Sequence, residues 1–385
     1  MDTSPATRTN RSVDEAVLYM AIELSLSKWV LAFSGPGARM RRVSVAGADR
    51  GAVLEAVAEA KRLFGLPAGA PVRSCHEAGL DGFWVHRWLT SEGIENLVVD
   101  SSSIEVNRRA RRAKTDRLDA QKLVEQLARW HGGEKRVWSV VRVPSPEAED
   151  GRRLHREWER LKKERTAHVN RIHGLLATVG IRLEIGSDLP EMLDDARLWD
   201  GSQVPCGLKS EIVREHGRLR VVEKQLGFIQ DARDGRIRRP ANASDEKAAR
   251  LMTLKGIGPT SAWLLSKEFF GWRTFHNRRQ VGAAAGMTGT PYDSGGSARE
   301  QGISKAGNRR VRALVLELAW RWLYWQPQSA LSQWFHRRFG EGGKRSRRVG
   351  IVAVARRLLV ALWRFVEQEA VPEGAILARK HGFRA

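Results

Sequence analysis

The chain has 385 residues, more than one ordinary domain holds, and 66 Lys and Arg against 44 Asp and Glu leave a formal net charge of +22. That surplus suits a polyanion, nucleic acid before an anionic membrane surface, and argues against a small acidic substrate. No apolar run approaches the ~20 residues of a spanning helix. Residues 1–17 lack a basic-then-apolar leader, and Cys75 and Cys206 form no CxxC pair, so a soluble intracellular protein without disulfide or zinc is expected.

After a polar start, Val17 to Leu24 is a near-continuous apolar run, read as a strand buried on both faces with Glu23 near its end. Trp29–Phe33 and Arg41–Val45 read as two more strands, and the three form an antiparallel meander around the Ser34–Gly37 turn. Val53, Leu54, Val57 and Leu63 recur at helical spacing in Ala52–Phe64. A short strand, Val72–His76, then ends at Glu77. Phe83–Leu89 is helical, Asn96–Val99 is a strand, and a helix runs from Asp116 to Trp130.

Three strands, helix, strand, helix, strand, helix resembles the plan of an RNase H-like α/β domain, set here at residues 15–135. In that plan acids from neighbouring strands and a late helix converge, and the candidates are Glu23, Glu77, Asp116 and Asp119. Two hard divalent cations about 4 Å apart need oxygen ligands, and together they stabilise the attacking and leaving oxygens of phosphoryl transfer. Asp116 suits the first turn of its helix, and Asp119, three residues on, shares its face. Arg108, Arg109, Arg111, Arg112, Lys114 and Arg117 surround them, so the stretch reads as a metal site that receives a polyanion. The competing reading is a solvated helix start in which Asp116 only caps.

Gly132-Gly133 and Pro144-Ser145-Pro146 place a linker over His131–Asp150. The next region, 150–236, is helical. Leu154, Trp158, Leu161, His168, Ile172, Leu175 and Val179 make a narrow seam on Arg152–Val179, residues 180–205 are irregular, and Leu208–Ile229 returns antiparallel. It reads as a coiled-coil arm for dimerisation and nucleic-acid grip, or as a plain intrachain hairpin.

A second linker at Pro240–Asp245 precedes a mainly α domain, 246–345. Leu254-Lys255-Gly256-Ile257-Gly258-Pro259 has the pattern of a helix-hairpin-helix, in which Gly256 and Gly258 let backbone amides meet a phosphate; an ordinary helical corner is the alternative. Gly282–Ser297 is a glycine-rich loop with sterically open serines, and Arg299, Lys305, Arg309 and Arg310 could hold a phosphate beside them. A loop serine is also an ordinary turn residue. Val311–Trp325 is a core helix, Gly342–Arg348 reads as basic and flexible, and a terminal helix and tail occupy 346–385.

Glu77-Ala78-Gly79, Gly82-Phe83-Trp84 and Lys114–Ala120 resemble the N-terminal DEDD domain of the "one-ten" insertion-sequence transposases, relatives of the Piv-type invertases. Leu254–Gly258 and Tyr292–Arg310 resemble the same family's C-terminal domain, and Gln301–Arg309 suggests its "eleven-eleven" subgroup. The resemblance implies a RuvC-like domain that binds Mg2+, or Mn2+ in its place, through Glu23, Glu77, Asp116 and Asp119. It also implies a serine nucleophile, which the Ser-Gly motif puts at Ser294. The family's first acid is usually aspartate; Glu23 keeps the carboxylate and reaches one methylene further.

The resemblance further implies a bacterial cytoplasmic recombinase, nucleoid-associated when bound to DNA. It would act on double-stranded DNA as a homo-oligomer, dimer or tetramer, with a structured bridge RNA supplying the sequence by pairing. The rivals are a RuvC-like structure-specific nuclease that uses water and a non-catalytic DNA-binding relative.

Overall fold

The computed structural model describes residues 16–36, 40–79, 81–104, 116–294 and 297–378; the side chains of residues 102, 116–119 and 291–301 lie outside the described set. The chain divides into two compact units, Met1–Pro144 and Ser145–Ala385.

The first unit is built on a mixed five-stranded sheet. β1 (Leu18–Glu23), β2 (Lys28–Ser34) and β3 (Met40–Ala46) form the expected antiparallel meander, while β4 (Val72–Glu77) and β5 (Glu95–Val99) add in parallel, giving the order β3-β2-β1-β4-β5. Both faces are covered, which is why β1 reads as an unbroken apolar run rather than an alternating one. On one face α1 (Arg50–Leu63) and α2 (Trp84–Ser91) close over Leu18, Met20, Ile22, Trp29 and Phe33. α1 begins where the Asp49 side chain accepts from the Ala52 amide at 3.0 Å. On the other face α3 (Asp116–His131) packs Ala120, Leu123, Val124 and Leu127 against Ala21, Ala32, Cys75 and Val99.

Part of the expected linker belongs to this unit. Val137 and Trp138 are buried in the α3-side core, and Val140 bridges Val99 antiparallel, with the Val141 amide donating to Val98 O at 2.7 Å. Two apolar residues among glycines and charges are too few to show a period, so the packing is invisible locally.

In the second unit, after α4 (Pro146–Asp150), α5 (Arg153–Ala177) and α7 (Cys206–Arg238) form an antiparallel hairpin. Leu161 meets Val222, Leu226 and Ile229 near one end; Ile172 and Leu176 meet Ile212 and Leu219 near the other. Glu215 is buried between the helices. Burial raises its pKa, but hydrogen bonds from His168, Arg218 and Arg171 outweigh that and hold it at about 2.

Residues expected to be irregular contain α6 (Leu189–Asp195), which buries Leu189 and Leu193 at the end of the hairpin. Beyond it a tight turn closes with the Leu198 amide on Ser202 O at 2.8 Å and leaves Trp199 94% exposed. Residues 180–211 carry Glu184, Asp188, Glu191, Asp194, Asp195, Asp200 and Glu211 against Arg182, Arg197 and Lys209.

The remainder is one helical core. α8 (Ala243–Met252) starts inside the second expected linker, where Asn242 caps the Asp245 amide at 3.0 Å. α9 (Pro259–Leu265) continues into a π-helical turn, Ser266–Phe270. α10 (Arg278–Ala284), α11 (Arg309–Trp325), α12 (Ala330–Phe339) and α13 (Lys344–Gln368) gather around Trp263, Phe269, Val315, Leu358 and Leu362. The basic stretch expected to be flexible instead supplies the start of α13, a helix held by its buried residues from Gly350 to Val366. Between α10 and α11 the expected glycine-rich loop is a two-stranded ribbon, β6 (Gly289–Ser294) and β7 (Ser297–Ile303). Among the described residues no helix is long and apolar enough to cross a membrane.

Candidate active site

Glu23 ends β1 and Glu77 ends β4, and both are half-buried. The strands run parallel with Ala21 opposite Cys75 and Ile22 opposite His76, so one step beyond the second pair brings Glu23 and Glu77 to the same end of adjacent strands. Side chains alternate across a sheet. Ala21 and Cys75 face α3, so the two glutamates, each two residues on, face α3 as well. The Cys75 thiol reports the same placement: burial, then the nearby Glu77 charge, push its pKa up.

α3 runs opposite to these strands. Its last residue, His131, lies 6.0 Å from the Tyr19 ring near the start of β1, and its middle is fixed by the Cys75 thiol, which donates to Leu123 O at 3.8 Å. From Leu123 back to Asp116 the helix rises about 10 Å, and from Cys75 to Glu77 the strand advances about 7 Å. The start of α3 is thereby directed to the strand end that carries the two glutamates. Asp116 is the first residue of α3 and Asp119 is one turn before Leu123; their side chains lie outside the described residues. Among the described residues no three His, Cys, Asp or Glu side chains gather as a metal site.

On the opposite face of the same strands lies a polar layer that sequence reading missed. Asn96 Nδ2 donates to Ser74 Oγ at 2.8 Å and its Oδ1 meets His86 Nδ1 at 3.0 Å. His76, next to Glu77 but facing the other core, is fully buried, and among the described residues neither ring nitrogen has a hydrogen-bond partner. Burial, with His86 nearby, pushes its pKa down to about 4, so at neutral pH it is uncharged.

Ser294 is the last residue of β6, opposite Ser297 in register; Gly295 and Gly296, which join the strands, and the side chains around them lie outside the described residues. The base of the ribbon is described in full. Ser304 N donates to Thr288 O at 2.8 Å, Lys305 N to Gly286 O at 3.0 Å and Asn308 N to Ala284 O at 2.8 Å. Gly286 and Gly307 lie back to back there: a Cβ on Gly307 would sit 2.5 Å from Gly286 N and 2.6 Å from Ala284 O. Gly307 has φ +145° and Gly286 φ +66°, both left-handed-side conformations that suit glycine.

Asn308 finishes the clasp. Its Oδ1 caps the amides of Arg310 and Val311 at 3.0 and 3.1 Å, and its Nδ2 reaches Glu268 O at 3.4 Å in the π-helical turn. An Asn just before an apolar helix is a capping signal that the sequence does display.

Glu268 is itself buried and forks onto Arg156 of α5, at 2.7 Å to Nε and 3.1 Å to Nη2. Burial raises the Glu268 pKa, yet Arg156, Arg152 and Arg310 more than offset it, and the carboxylate stays charged below its ordinary range. Of the cations proposed from sequence, Arg310 donates to Glu159 Oε2 at 2.6 Å, which ties the start of α11 to the arm. Lys305 and Arg309 are exposed, and the Arg299 side chain lies outside the described residues. Gly258 stands at the N-cap of α9 with open space around it, whereas a Cβ on Gly256 would meet the Trp325 side chain at 3.0 Å. The Gly256 position thus also serves packing.

Residues 248–334, from within α8 to within α12 and including the ribbon, match a family model described as transposase IS116/IS110/IS902 family. A putative transposase, y4rJ, of Sinorhizobium fredii is 41% identical over 387 residues, covering 97% of this chain and 98% of that protein. The chain belongs to the IS116/IS110/IS902 transposase family. The transposase for insertion sequence element IS1328 of Yersinia enterocolitica is 27% identical over 54% of this chain and 58% of its own length. The transposase for IS1111A of Coxiella burnetii is 28% identical over 53% of each. For this family member, the near-complete match to y4rJ spans both the unit that carries the acids and the one that carries the ribbon.

Proposed function

We propose that the chain is a DNA recombinase of an insertion sequence, with an RNase H-like first unit and a serine nucleophile on the ribbon of the second. The observation that carries this reading is the gathering of Glu23 and Glu77 on the α3 face, toward the end where α3 begins with Asp116, in a transposase-family chain of net charge +22. The donor set suits Mg2+, a hard cation that takes carboxylate oxygens. Glu23, Glu77, Asp116 and Asp119 would hold it, and when bound it supplies charge stabilisation for phosphoryl oxygens.

The rest is done by the chain. Ser294 Oγ attacks a scissile phosphorus; the Oγ–P bond forms, one sugar–phosphate ester bond breaks, and the serine proton ends on the released sugar hydroxyl. A strand hydroxyl then attacks the same phosphorus, the Oγ–P bond breaks and serine recovers a proton, so phosphodiesters are conserved. Lys305 and Arg309 neutralise phosphate charge near the ribbon base. A structured guide RNA would supply sequence by pairing, consistent with phosphate contacts that read no bases, and assembly as a homo-oligomer would let the acids and the serine come from different copies.

The test is to trap the protein on nicked element-end DNA and map the linked residue. Linkage at Ser294, lost in Ser294→Ala and in Asp116→Ala while DNA binding persists, is the expected result. DNA cleavage by Ser294→Ala with no adduct would instead identify a water-using nuclease.

A further inference from the structure

The corner between α12 and α13 carries a concentrated charge that the proposed reaction does not use. Arg337 and Arg338 end α12; Lys344, Arg345, Arg347 and Arg348 begin α13; Gly340-Glu341-Gly342-Gly343 joins them. All six cations are exposed, and Glu341 is the lone acid in the segment 336–348. Elsewhere in this unit a number of cations are paired in place, as in Arg156–Glu268, Lys267–Asp245, Arg165–Glu223 and Arg310–Glu159. Among the described residues none of the six at the corner pairs with a carboxylate, and their one side-chain hydrogen bond is Arg347 Nη2 to Gly340 O at 2.9 Å.

Folding gives no account of this gathering. The helix dipole favours Arg337 and Arg338 at the end of α12 but opposes the four cations that open α13, whose first turn has no acid and whose N-cap, Gly343, offers no side-chain bond. Nor can the cations spread apart. A Cβ on Gly350 would sit 2.6 Å from the Phe339 ring and 2.9 Å from that of Phe335, so α13 lies directly against α12. Phe335, Ile351 and Val354 root both helices in the core, so folding brings the six cations to one corner.

We propose that this corner grips the phosphodiester backbone of a nucleic acid, without reading bases, as a second contact apart from the ribbon. It rests on the nucleic-acid-handling part of the reading above. Five of the six cations are arginines, whose planar fork matches phosphate oxygens in pairs. DNA and structured RNA present the same backbone chemistry, and the experiment separates them.

Full-length protein with Arg337→Gln, Arg338→Gln, Arg345→Gln and Arg348→Gln is compared with wild type for binding to a labelled DNA duplex and a labelled RNA hairpin across a salt series. A control variant, Lys28→Gln, Arg42→Gln, Arg50→Gln and Arg62→Gln, loses the same charge from the first unit. Each lost phosphate contact lowers the slope of log affinity against log salt by about 0.9 on duplex DNA. The expected result is a slope smaller by about 3.6 on duplex DNA, or a comparable drop on RNA, and at least roughly tenfold weaker binding at low salt, on DNA, RNA or both, with the ligand affected naming the source. Thermal melting checks the fold, and Arg345→Gln alone, expected to lower the slope by about 1, keeps the test open if the quadruple variant misfolds.

Unchanged binding, or an equal loss in the control, overturns the proposal. Unchanged nucleic-acid binding with lost self-association overturns it in favour of a protein contact. Wild type that binds neither nucleic acid overturns the corner and the functional reading together, an outcome distinct from the others.

Discussion

Gly307→Ala is expected to be among the most damaging single-methyl changes in the second unit. At φ +145° an alanine is strained by about 1–3 kcal/mol. Its Cβ would also lie 2.5, 2.6 and 2.9 Å from Gly286 N, Ala284 O and Ala283 O. Those are backbone atoms tied by the hydrogen bonds at the ribbon base, so they cannot swing aside as a side chain would, and overpacking adds about 1–3 kcal/mol. A total near 4 kcal/mol lowers the melting temperature of a unit this size by about 8–16 °C. Gly302→Ala is the control: its φ is +92° but among the described residues its Cβ would meet nothing within 4 Å, so the strain is the effect expected there. Calorimetry on the full chain distinguishes them. If Gly307→Ala melts within about 2 °C of wild type, or no lower than Gly302→Ala, the back-to-back glycine clasp is not what holds the ribbon base.

Two further outcomes follow from the first unit. Glu23→Asp is expected to keep recombination within about tenfold and Glu23→Gln to lose roughly 100-fold, the scale of losing one group that stabilises transition-state charge; normal recombination by Glu23→Gln removes that residue from the metal set. His76 has a folded pKa of about 4 against roughly 6.5 for an unfolded histidine, so only the unfolded chain takes up its proton in that window. Its contribution is therefore complete above pH ~6.5 and falls as pH drops toward 4, by about 2 kcal/mol at pH 5. Urea unfolding should show this slope flattened in His76→Leu, and an unaltered slope would assign the acid sensitivity to other groups.

The strands and helices of the first unit were legible because burial on both faces writes long apolar runs into β1 and β2. The positions of Glu23 and Glu77 at strand ends and of Asp116 at a helix start were legible because the glutamates close such runs and Asp116 opens a periodic helix. What escaped depends on partners distant in sequence. The ribbon is short and rich in Gly, and β6 finds its partner in β7 across the intervening turn, so no apolar alternation marks it in the sequence. Gly286 meets Gly307, Arg156 meets Glu268 and Cys75 meets Leu123 only once the chain has folded. The basic opening of α13 looks unstructured in isolation because its own charges oppose a helix; the apolar residues from Gly350 onward decide the matter. His76 carries no local sign that its ring will be sealed from water.

The acidic end of the α5–α7 hairpin gives the second unit a polarity. Along α5 the 25 residues from the Arg156–Glu268 anchor region to Ala177 span about 37 Å, and beyond them lie seven acids against three bases in a chain that is otherwise strongly cationic. A polyanion is repelled by that end of the second unit relative to the unit's basic surfaces, so the hairpin end is the least favoured place for first contact. The turn that holds the exposed Trp199 lies at that least favoured end, so its ring is left open to water where this unit has the weakest pull on a polyanion.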